Sequence, residues 1–264
     1  MENGKIWFIT DAARGLGYIL VRQLLNSGCK VAATADSING FEKTIIDNKN
    51  FFPQAVDLTT AGSVEDAIDL AVMRFGRIDV VVNTAGYCLA GSLEELSDRE
   101  VRDNFDTNVF GTLNVLRSVM MHLRAQRSGH VFTFSSAKQI SDDVAGRGIH
   151  YATGLAVQGL TESLAAEAKE FGVKVTLVSP GAEFTSSGVL ADPKRMIMDY
   201  SEISRRPAIK QPEGNELINI AAAIICSASG NDAPLHLSFG DDADNMDSVI
   251  KDIENRWEYF YQQN

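Results

Sequence analysis

Residues 78–82, IDVVV, are apolar apart from one aspartate, and they lead directly into the tetrapeptide Asn83-Thr84-Ala85-Gly86. A strand with one side in water alternates apolar and polar residues, whereas a continuous apolar run predicts a strand that is covered on both faces. Such strands are typical of parallel sheets that carry helices on both sides. The run therefore predicts that the chain folds around a buried parallel sheet.

Strand-like and helix-like segments alternate along the chain. Short β-rich runs occur at residues 5–10, 29–35, 51–56, 131–134, 173–178 and 235–239. Between them, segments such as 63–75 and 98–125 repeat apolar residues with the helical period. This order predicts an α/β fold with a three-layer, doubly wound parallel sheet. The length of 264 residues fits one such unit, so we expect residues 1–264 to form a single domain.

The composition excludes several classes of partner. The formal net charge is −11 and the pI is about 4.8, so we expect no nucleic acid partner, because a phosphate backbone attracts clustered Lys and Arg. No apolar run approaches the ~20 residues that span a bilayer, so we expect no membrane partner. A strand begins within a few residues of Met1 and leaves no room for a signal peptide. We therefore expect a cytoplasmic protein.

The cysteines Cys29, Cys88 and Cys226 are far apart and lack the spacing of metal ligands. This pattern predicts no metal site and suits a reducing compartment. We expect all three to behave as small buried hydrophobic residues.

The first strand is followed by the turn DAARGLG and then by an amphipathic helix. Gly15 and Gly17 lie in this turn. A strand-turn-helix unit of this kind directs backbone N–H groups and a helix N-terminus at a phosphate, which is how dinucleotide sites are built. A plain turn is the alternative interpretation.

A second strand-turn-helix unit spans residues 130–155. Its strand ends in Ser135-Ser136, and Tyr151 lies near the start of the next helix. In open α/β sheets ligands bind at the carboxyl ends of the strands. The two hydroxyl groups, of Ser136 and Tyr151, are therefore candidates for the chemistry.

These motifs, together with Ser-Pro-Gly at 179–181, resemble the short-chain dehydrogenase/reductase family, which has a Rossmann-like fold. The resemblance implies that Tyr151 and Ser136 are catalytic. The spacing between these two residues is slightly longer than is usual in the family, and a longer loop is the simplest explanation. The segment FDTNVFGTLNV also resembles the family segment in which an asparagine, here Asn108, distorts a helix and holds a water in a proton relay. From chemistry alone, Asn108 is better explained as a core asparagine with satisfied hydrogen bonds.

The resemblance further implies a nicotinamide cofactor, and it assigns contacts to eight residues: Arg14, Gly15, Gly17, Asp36, Asp57, Asn83, Gly86 and Thr185.

Their implied roles differ. Asp57 would lie at the adenine edge, and Thr185 in PGxxxT would contact the nicotinamide carboxamide, whereas Asn83 and Gly86 line the cofactor and support the sheet. Asp36 would hold the ribose of NAD and repel the 2′-phosphate of NADP, although an N-cap or turn role explains it as well. Arg14 is the residue that would instead support a 2′-phosphate. We expect NAD, if any cofactor binds.

Two positions depart from the family pattern. Leu155 stands where the YxxxK motif has its lysine, and Asp11 replaces the first glycine of TGxxxGxG. The lysine lowers the pKa of the tyrosine by its charge, and without such help a tyrosine has a pKa of about 10 and is ionised to about a thousandth at pH 7. Asp11 would add bulk and negative charge beside the pyrophosphate. Lys138 and His150 are candidate replacement bases, or solvated loop residues.

Three functions follow from these departures. The first is an atypical enzyme of the family in which neutral Tyr151 and Ser136 protonate a small carbonyl substrate without hydride transfer, as in isomerisation, elimination or cyclisation. The second is an NAD(H)-dependent oxidoreductase with a displaced base. The third is a catalytically silent protein that binds a metabolite or a subunit. Hydride transfer is therefore in doubt from the sequence.

The remaining segments concern the substrate and assembly. Residues 186–214 are polar and proline-containing, which is typical of a mobile substrate-covering segment. An amphipathic pattern at 246–260 predicts a final helix that packs on the body or on a partner subunit. The resemblance implies a homodimer or homotetramer, because the helices of Asn108 and Tyr151 resemble those that pair between subunits in the family.

Overall fold

A computed structural model describes residues 4–135, 145–180, 189–201, 214–230 and 233–239. Seven strands form one sheet in the order β3-β2-β1-β4-β6-β7-β9, and every adjacent pair is parallel. The strands are β1 (Ile6–Thr10), β2 (Lys30–Ala35), β3 (Phe51–Ala55), β4 (Val80–Asn83), β6 (Gly129–Phe134), β7 (Val173–Ser179) and β9 (His236–Ser238). Two short strands, β5 (Cys88–Leu89) and β8 (Leu190–Ala191), pair separately.

Helices connect the strands. They are α1 (Gly15–Asn26), α2 (Lys43–Ile46), α3 (Ala61–Phe75), α4 (Asp98–Phe105), α5 (Gly111–Gln126), α6 (Gly148–Ala168) and α7 (Gly214–Ser229). The single helix predicted over 98–125 is divided by a π-helical segment, Asp106–Phe110, between α4 and α5. A π-helical turn inserts an extra residue into the helix, and such turns are common at functional sites.

The core lies on both faces of the sheet. Trp7 and Ile9 of β1 belong to a buried cluster that includes residues of α1 and α7, whereas Phe8 belongs to a second cluster with residues of α3 and α5. The run 78–82 is divided in the same way, because Val80 and Val82 face the first cluster and Val81 faces the second. The prediction of a three-layer, doubly wound parallel sheet is confirmed.

The prediction that all three cysteines are buried has a mixed outcome. Cys29 and Cys88 are buried as expected, but Cys226 is exposed, because its position on α7 turns away from the sheet. Within the described residues, no helix is both long and apolar enough to span a bilayer, and no cluster of three or more potential metal ligands occurs. The predicted helix at 246–260 lies outside the described residues.

Candidate active site

The turn after β1 has the backbone geometry of a phosphate-binding turn. Gly15 adopts a φ of 54°, and a Cβ at Gly17 would lie 2.9 Å from the Cα of Ala12, so the close approach of α1 to the turn requires glycine there. Arg14 occupies the N-cap position of α1 and makes no side-chain capping hydrogen bond, and the first turn contains no acidic residue. Backbone N–H groups at this helix start are thus available to an anion.

Asp11, where the family has glycine, adopts a φ of 45°. This is the left-handed region, which glycine occupies freely and which aspartate tolerates better than most residues. The side chain of Asp11 is turned inward and is 13% exposed. Burial raises the pKa of its carboxyl group to about 6, against the opposing effect of Arg14.

The charge of Asp11 is paired with a cation. Arg14 Nη2 lies 3.1 Å from Asp11 Oδ1, and the same nitrogen lies 4.0 Å from Asp36 Oδ2. One guanidinium group therefore lies between the two aspartates, which follow β1 and β2 at the carboxyl edge of the sheet. The sequence suggested a bare negative charge beside the pyrophosphate, whereas the structure places a compensating positive charge within the same turn.

Asp36 and Asp57 follow β2 and β3 at the carboxyl edge of the sheet. Ser37, not Asp36, caps the following 3-10 turn, because the N–H of Asn39 donates to Ser37 Oγ at 3.3 Å. The side chain of Asp36 is 91% exposed, so the N-cap alternative for Asp36 is not what the structure shows, and its cofactor role stays a prediction. Asp57 accepts hydrogen bonds from the N–H and hydroxyl of Thr59 at 2.9 and 2.7 Å, which hold the pKa of this carboxyl below its usual range.

Asn83 ties the central strands to the helix layer. Its Oδ1 accepts from Thr10 Oγ1 at 2.7 Å, and its Nδ2 donates to Thr112 Oγ1 at 2.8 Å. Thr112 Oγ1 in turn donates to the carbonyl of Asn108 at 2.7 Å. All these groups are buried, so Asn83 supports the sheet as the resemblance implies, and its contact with a cofactor stays a prediction.

Asn108 lies within the π-helical segment and is 8% exposed. Its side chain makes a pair of hydrogen bonds with the backbone of Tyr87, accepting from the N–H at 3.0 Å and donating to the carbonyl at 2.9 Å. A Cβ at Gly86, whose φ is 146°, would come within 3.3 Å of Asn108 Oδ1. The helix distortion and the satisfied core asparagine, which were offered as alternatives, therefore occur together.

Tyr151 lies in the first turn of α6 and is partly buried. The strand that precedes it is fixed to this helix, since Ser135 Oγ donates to the carbonyl of Gly154 at 2.9 Å. Asn108 approaches the same helix, with its Nδ2 lying 3.4 Å from Thr153 Oγ1. The structure thus brings Tyr151 and Asn108 to one region of the carboxyl edge.

Leu155 is 59% exposed, although it is apolar. Because the position is open, a lysine would fit there without burial of its charge. His150 does not replace that charge near neutral pH, because burial, followed by the effect of Arg147, lowers the pKa of His150 to about 4. Ser136, Lys138 and Thr185 lie outside the described residues.

The sequence analysis missed two buried carboxylates, Glu95 and Glu100, which are 1% and 7% exposed. They hold the backbone of residues 194–197, within the segment that was predicted to be mobile. Ser97-x-x-Glu100 has the pattern of a capping box, so a helix start could have been predicted there. Ser92-x-x-Glu95 has the same spacing, and the N–H of Ser92 donates to Glu95 Oε2 at 2.9 Å, but no local pattern marks the distant bond from the N–H of Ile197 to Glu95.

Comparisons with known proteins agree with this architecture. The family described as short chain dehydrogenase matches residues 5–191. An oxidoreductase of Botryotinia fuckeliana is 30% identical over 260 residues, covering 90% of each chain. A protein of Bacteroides thetaiotaomicron named 3-ketodihydrosphingosine reductase is 30% identical over 201 residues, covering 75% of this chain and 72% of its own.

A solved short-chain dehydrogenase from Streptomyces avermitilis superposes with a TM-score of 0.85 at 28% identity, and the match covers 100% of this chain and 99% of that one. The matched residues include the turn after β1, the π-helical segment and the helix that carries Tyr151. The chain therefore belongs to the short-chain dehydrogenase family.

Proposed function

We propose that this protein is an NAD(H)-dependent oxidoreductase that reduces the carbonyl group of a small molecule, with Tyr151 as the proton donor. The observation that carries the proposal is the turn after β1, where Gly15 and Gly17 bring an uncapped helix start to the carboxyl edge of the sheet. Relatives named as oxidoreductases and reductases support a redox reaction over the non-redox reaction that the sequence analysis gave as its first hypothesis.

The residues of this edge fit a dinucleotide. The turn at Gly15 and Gly17 would hold the diphosphate, since Arg14 compensates the charge of Asp11. Asp36 would contact the adenosine ribose, and Thr185 the nicotinamide carboxamide. NAD(H), when bound, supplies the hydride that reduction of a carbonyl requires.

Tyr151 Oη would donate its proton to the substrate oxygen while that oxygen gains negative charge, and Ser136 would donate a hydrogen bond to the same atom. A neutral phenol is the form that donates a proton, whereas oxidation of an alcohol requires the phenolate as base. The lysine that is missing at Leu155 stabilises the phenolate. We therefore infer that Tyr151 acts as a neutral phenol, in its role as the acid of carbonyl reduction, near neutral pH.

NAD(H) should bind more tightly than NADP(H). The exposed carboxylate of Asp36 would repel a 2′-phosphate, and Arg14, which could attract that phosphate, lies between Asp36 and Asp11. Isothermal titration calorimetry with both reduced cofactors tests this preference. Tighter binding of NADPH would mean that Arg14 leaves the two aspartates, and our interpretation of Asp36 would be wrong.

Turnover experiments test the reaction itself. NADH oxidation should be measured with a panel of small ketones and aldehydes, with the wild type and with Tyr151→Phe. We expect the variant to lose turnover by at least about a hundredfold while its NADH affinity stays unchanged, because Phe removes the transferable proton alone. Absence of NADH binding by the wild type would contradict the proposed function.

Non-redox chemistry on a carbonyl substrate is a second candidate, and the exposed apolar side chain of Leu155 is the observation that favours it. Conversion of substrate by the wild type without any nicotinamide cofactor, and its loss in Tyr151→Phe, would identify this reaction. Binding of a metabolite without conversion under either condition would instead indicate a catalytically silent protein.

A further inference from the structure

Glu95 and Glu100 are buried carboxylates outside the candidate active site. Glu95 is 1% exposed and Glu100 is 7% exposed. Burial of a carboxylate is costly unless hydrogen bonds compensate the lost hydration. The partners of these two groups therefore indicate what their burial achieves.

Each carboxylate joins the backbone a few residues before it to a distant part of the backbone. Glu95 Oε2 accepts from the N–H of Ser92 at 2.9 Å, and its Oε1 accepts from the N–H of Ile197 at 3.0 Å. Glu100 Oε2 accepts from the N–H of Ser97 at 3.0 Å, and its Oε1 accepts from the N–H of Lys194 at 2.9 Å. Together they hold residues 194–197 at two points.

The loop that carries Glu95 packs against the start of α6. The N–H of Gly91 donates to the carbonyl of Gly146 at 2.8 Å, and a Cβ at Gly148 would lie 3.2 Å from Leu93 Cδ2. Tyr151 lies in this same first turn of α6. The segment 194–197 is thus connected, through one loop, to the helix turn that presents Tyr151.

Three large apolar side chains in this region face solvent. Leu93 is 70% exposed, Met196 is 68% exposed and Met198 is 86% exposed. The two methionines flank Ile197, whose N–H is held by Glu95. Methionine is flexible and polarisable, so it adapts to apolar ligands of different shape, and grouped exposed apolar residues often mark a binding surface.

We propose that Glu95 and Glu100 are positioning residues, which hold residues 194–197 so that Leu93, Met196 and Met198 form a surface for the apolar part of a carbonyl substrate. The inference rests on the proposed function for the role of Tyr151. The occupant is the substrate because the surface is continuous with the start of α6 through Leu93 and Gly148.

Limited digestion with trypsin tests the positioning role without any need for turnover, because Lys194 and Arg195 lie within the held segment. Each carboxylate accepts one N–H from its own loop or helix start and one from residues 194–197, and Gln has one acceptor oxygen where Glu has two. Glu95→Gln and Glu100→Gln therefore each lose one of these two hydrogen bonds and place an NH2 group against the N–H that is left, which weakens the hold on residues 194–197. Cleavage after Lys194 and Arg195, relative to other sites in the same digest, should accelerate by about tenfold or more. The matched control is Glu94→Gln, since Glu94 is exposed on the same loop and, within the part of the chain that the structure describes, accepts from the hydroxyl of Tyr200 and from no backbone N–H of residues 194–197.

Equal acceleration in the Glu94→Gln control, or no acceleration in either test variant, would overturn the positioning role. Should the test variants fail to fold, hydrogen exchange in the wild type decides, because the amides of Lys194 and Ile197 should exchange at least about tenfold more slowly than those of Met196 and Met198. Equal exchange of the four amides would refute the proposal.

Steady-state kinetics separates positioning from general destabilisation. With NADH and methyl hexyl ketone, Glu95→Gln should raise KM about fivefold or more and leave kcat within about twofold, because only the binding surface moves. A loss of kcat at unchanged KM would contradict the proposal.

The apolar surface is tested by ligand protection from trypsin. In the wild type, methyl hexyl ketone should slow cleavage after Lys194 and Arg195 more than methyl ethyl ketone at the same concentration, and Met196→Ser with Met198→Ser should remove the difference. Equal protection by the two ketones would overturn the apolar surface. A change in the oligomeric state of the double variant, measured by light scattering, would also overturn it, because the surface would then be a contact between copies of the chain. If the ketone protects the wild type from trypsin but the wild type binds no NADH, the proposed function is rejected and the apolar surface is retained.

Discussion

Arg14 Nη2 lies 3.1 Å from Asp11 Oδ1 in the turn after β1. The guanidinium group of Arg14 is therefore paired with the residue that replaces the family's first glycine. The pair keeps the turn close to neutral when Asp11 is ionised. It also occupies the group that would otherwise meet a phosphate. If the proposed cofactor binds at this turn, its affinity should depend on the protonation state of Asp11.

The first prediction concerns this dependence. Because the pKa of Asp11 is raised to about 6, the carboxyl group is neutral below that pH and negative above it. NADH affinity should fall by about tenfold, or ~1.4 kcal/mol, as the pH rises from 5 to 7.5. In Asp11→Asn the decline should disappear, and in the control Asp36→Asn it should remain. Calorimetry that finds the same decline in Asp11→Asn would contradict the assignment.

The second prediction concerns the two departures from the family pattern. Leu155→Lys combined with Asp11→Gly should tighten NAD(H) binding by at least about tenfold, because lysine supplies a charge-assisted hydrogen bond and glycine removes a charge. The exposed position of Leu155 means that the lysine should not destabilise the fold. Leu155→Gln is the matched control, since it changes polarity without adding charge. A folded double variant with unchanged affinity would mean that the cofactor cleft is remodelled.

The third prediction concerns Asn108. In Asn108→Asp the hydrogen bond from the N–H of Tyr87 survives, but the one to the carbonyl of Tyr87 is lost, because a carboxylate has no donor. The free energy of unfolding in urea should fall by about 1 to 3 kcal/mol. Asn114→Asp is the control, since Asn114 is partly buried and, among the described residues, donates a single hydrogen bond to the carbonyl of Leu58. An equal loss in both variants would remove the special role of Asn108.

The fourth prediction concerns acid stability. Burial, together with Lys174 and Lys5, lowers the pKa of His130 to about 3 from the ordinary 6.5. The unfolded chain therefore binds a proton that the folded protein excludes, so stability is lost as the pH falls below 6.5, down to about 3.

His130→Phe should remove this loss, because Phe retains the stacking on Phe132 and does not titrate. Relative to its difference from the wild type at pH 7.5, the variant should gain about 3 kcal/mol of stability at pH 4.5. Urea denaturation at the two pH values measures the change. His122→Phe is the control, since His122 lies beside Asp69 on the surface, and a similar gain there would argue against His130.

The fifth prediction concerns assembly. Helix α5 exposes Met121, the π-helical segment before it exposes Phe110, and α6 carries Tyr151. We expect a homodimer or homotetramer in which these helices pair with a second copy. Multi-angle light scattering at micromolar concentration measures the mass directly, and a monomer would refute the prediction.

The alternation of strands and helices was determined by the sequence itself. Apolar residues repeat with the period of each element, and this local pattern decides which face of an element is buried. The run 78–82 predicted a strand covered on both sides, and Val80 and Val81 indeed face opposite layers. The position of Tyr151 at a helix start was also local, because it depends only on where that helix begins.

Other features were decided by tertiary structure. The periodicity of residues 98–125 did not predict the π-helical segment, where Asn108 bonds the backbone of Tyr87 from a neighbouring loop. The pairing of Asp11 with Arg14 depends on the backbone angle of the turn, and the bond of Glu95 to Ile197 joins residues 102 positions apart. Periodicity states which residues face inward, but not which distant groups they meet. These long-range contacts depend on how the elements pack. They determine the net charge of the turn after β1 and the position of residues 194–197.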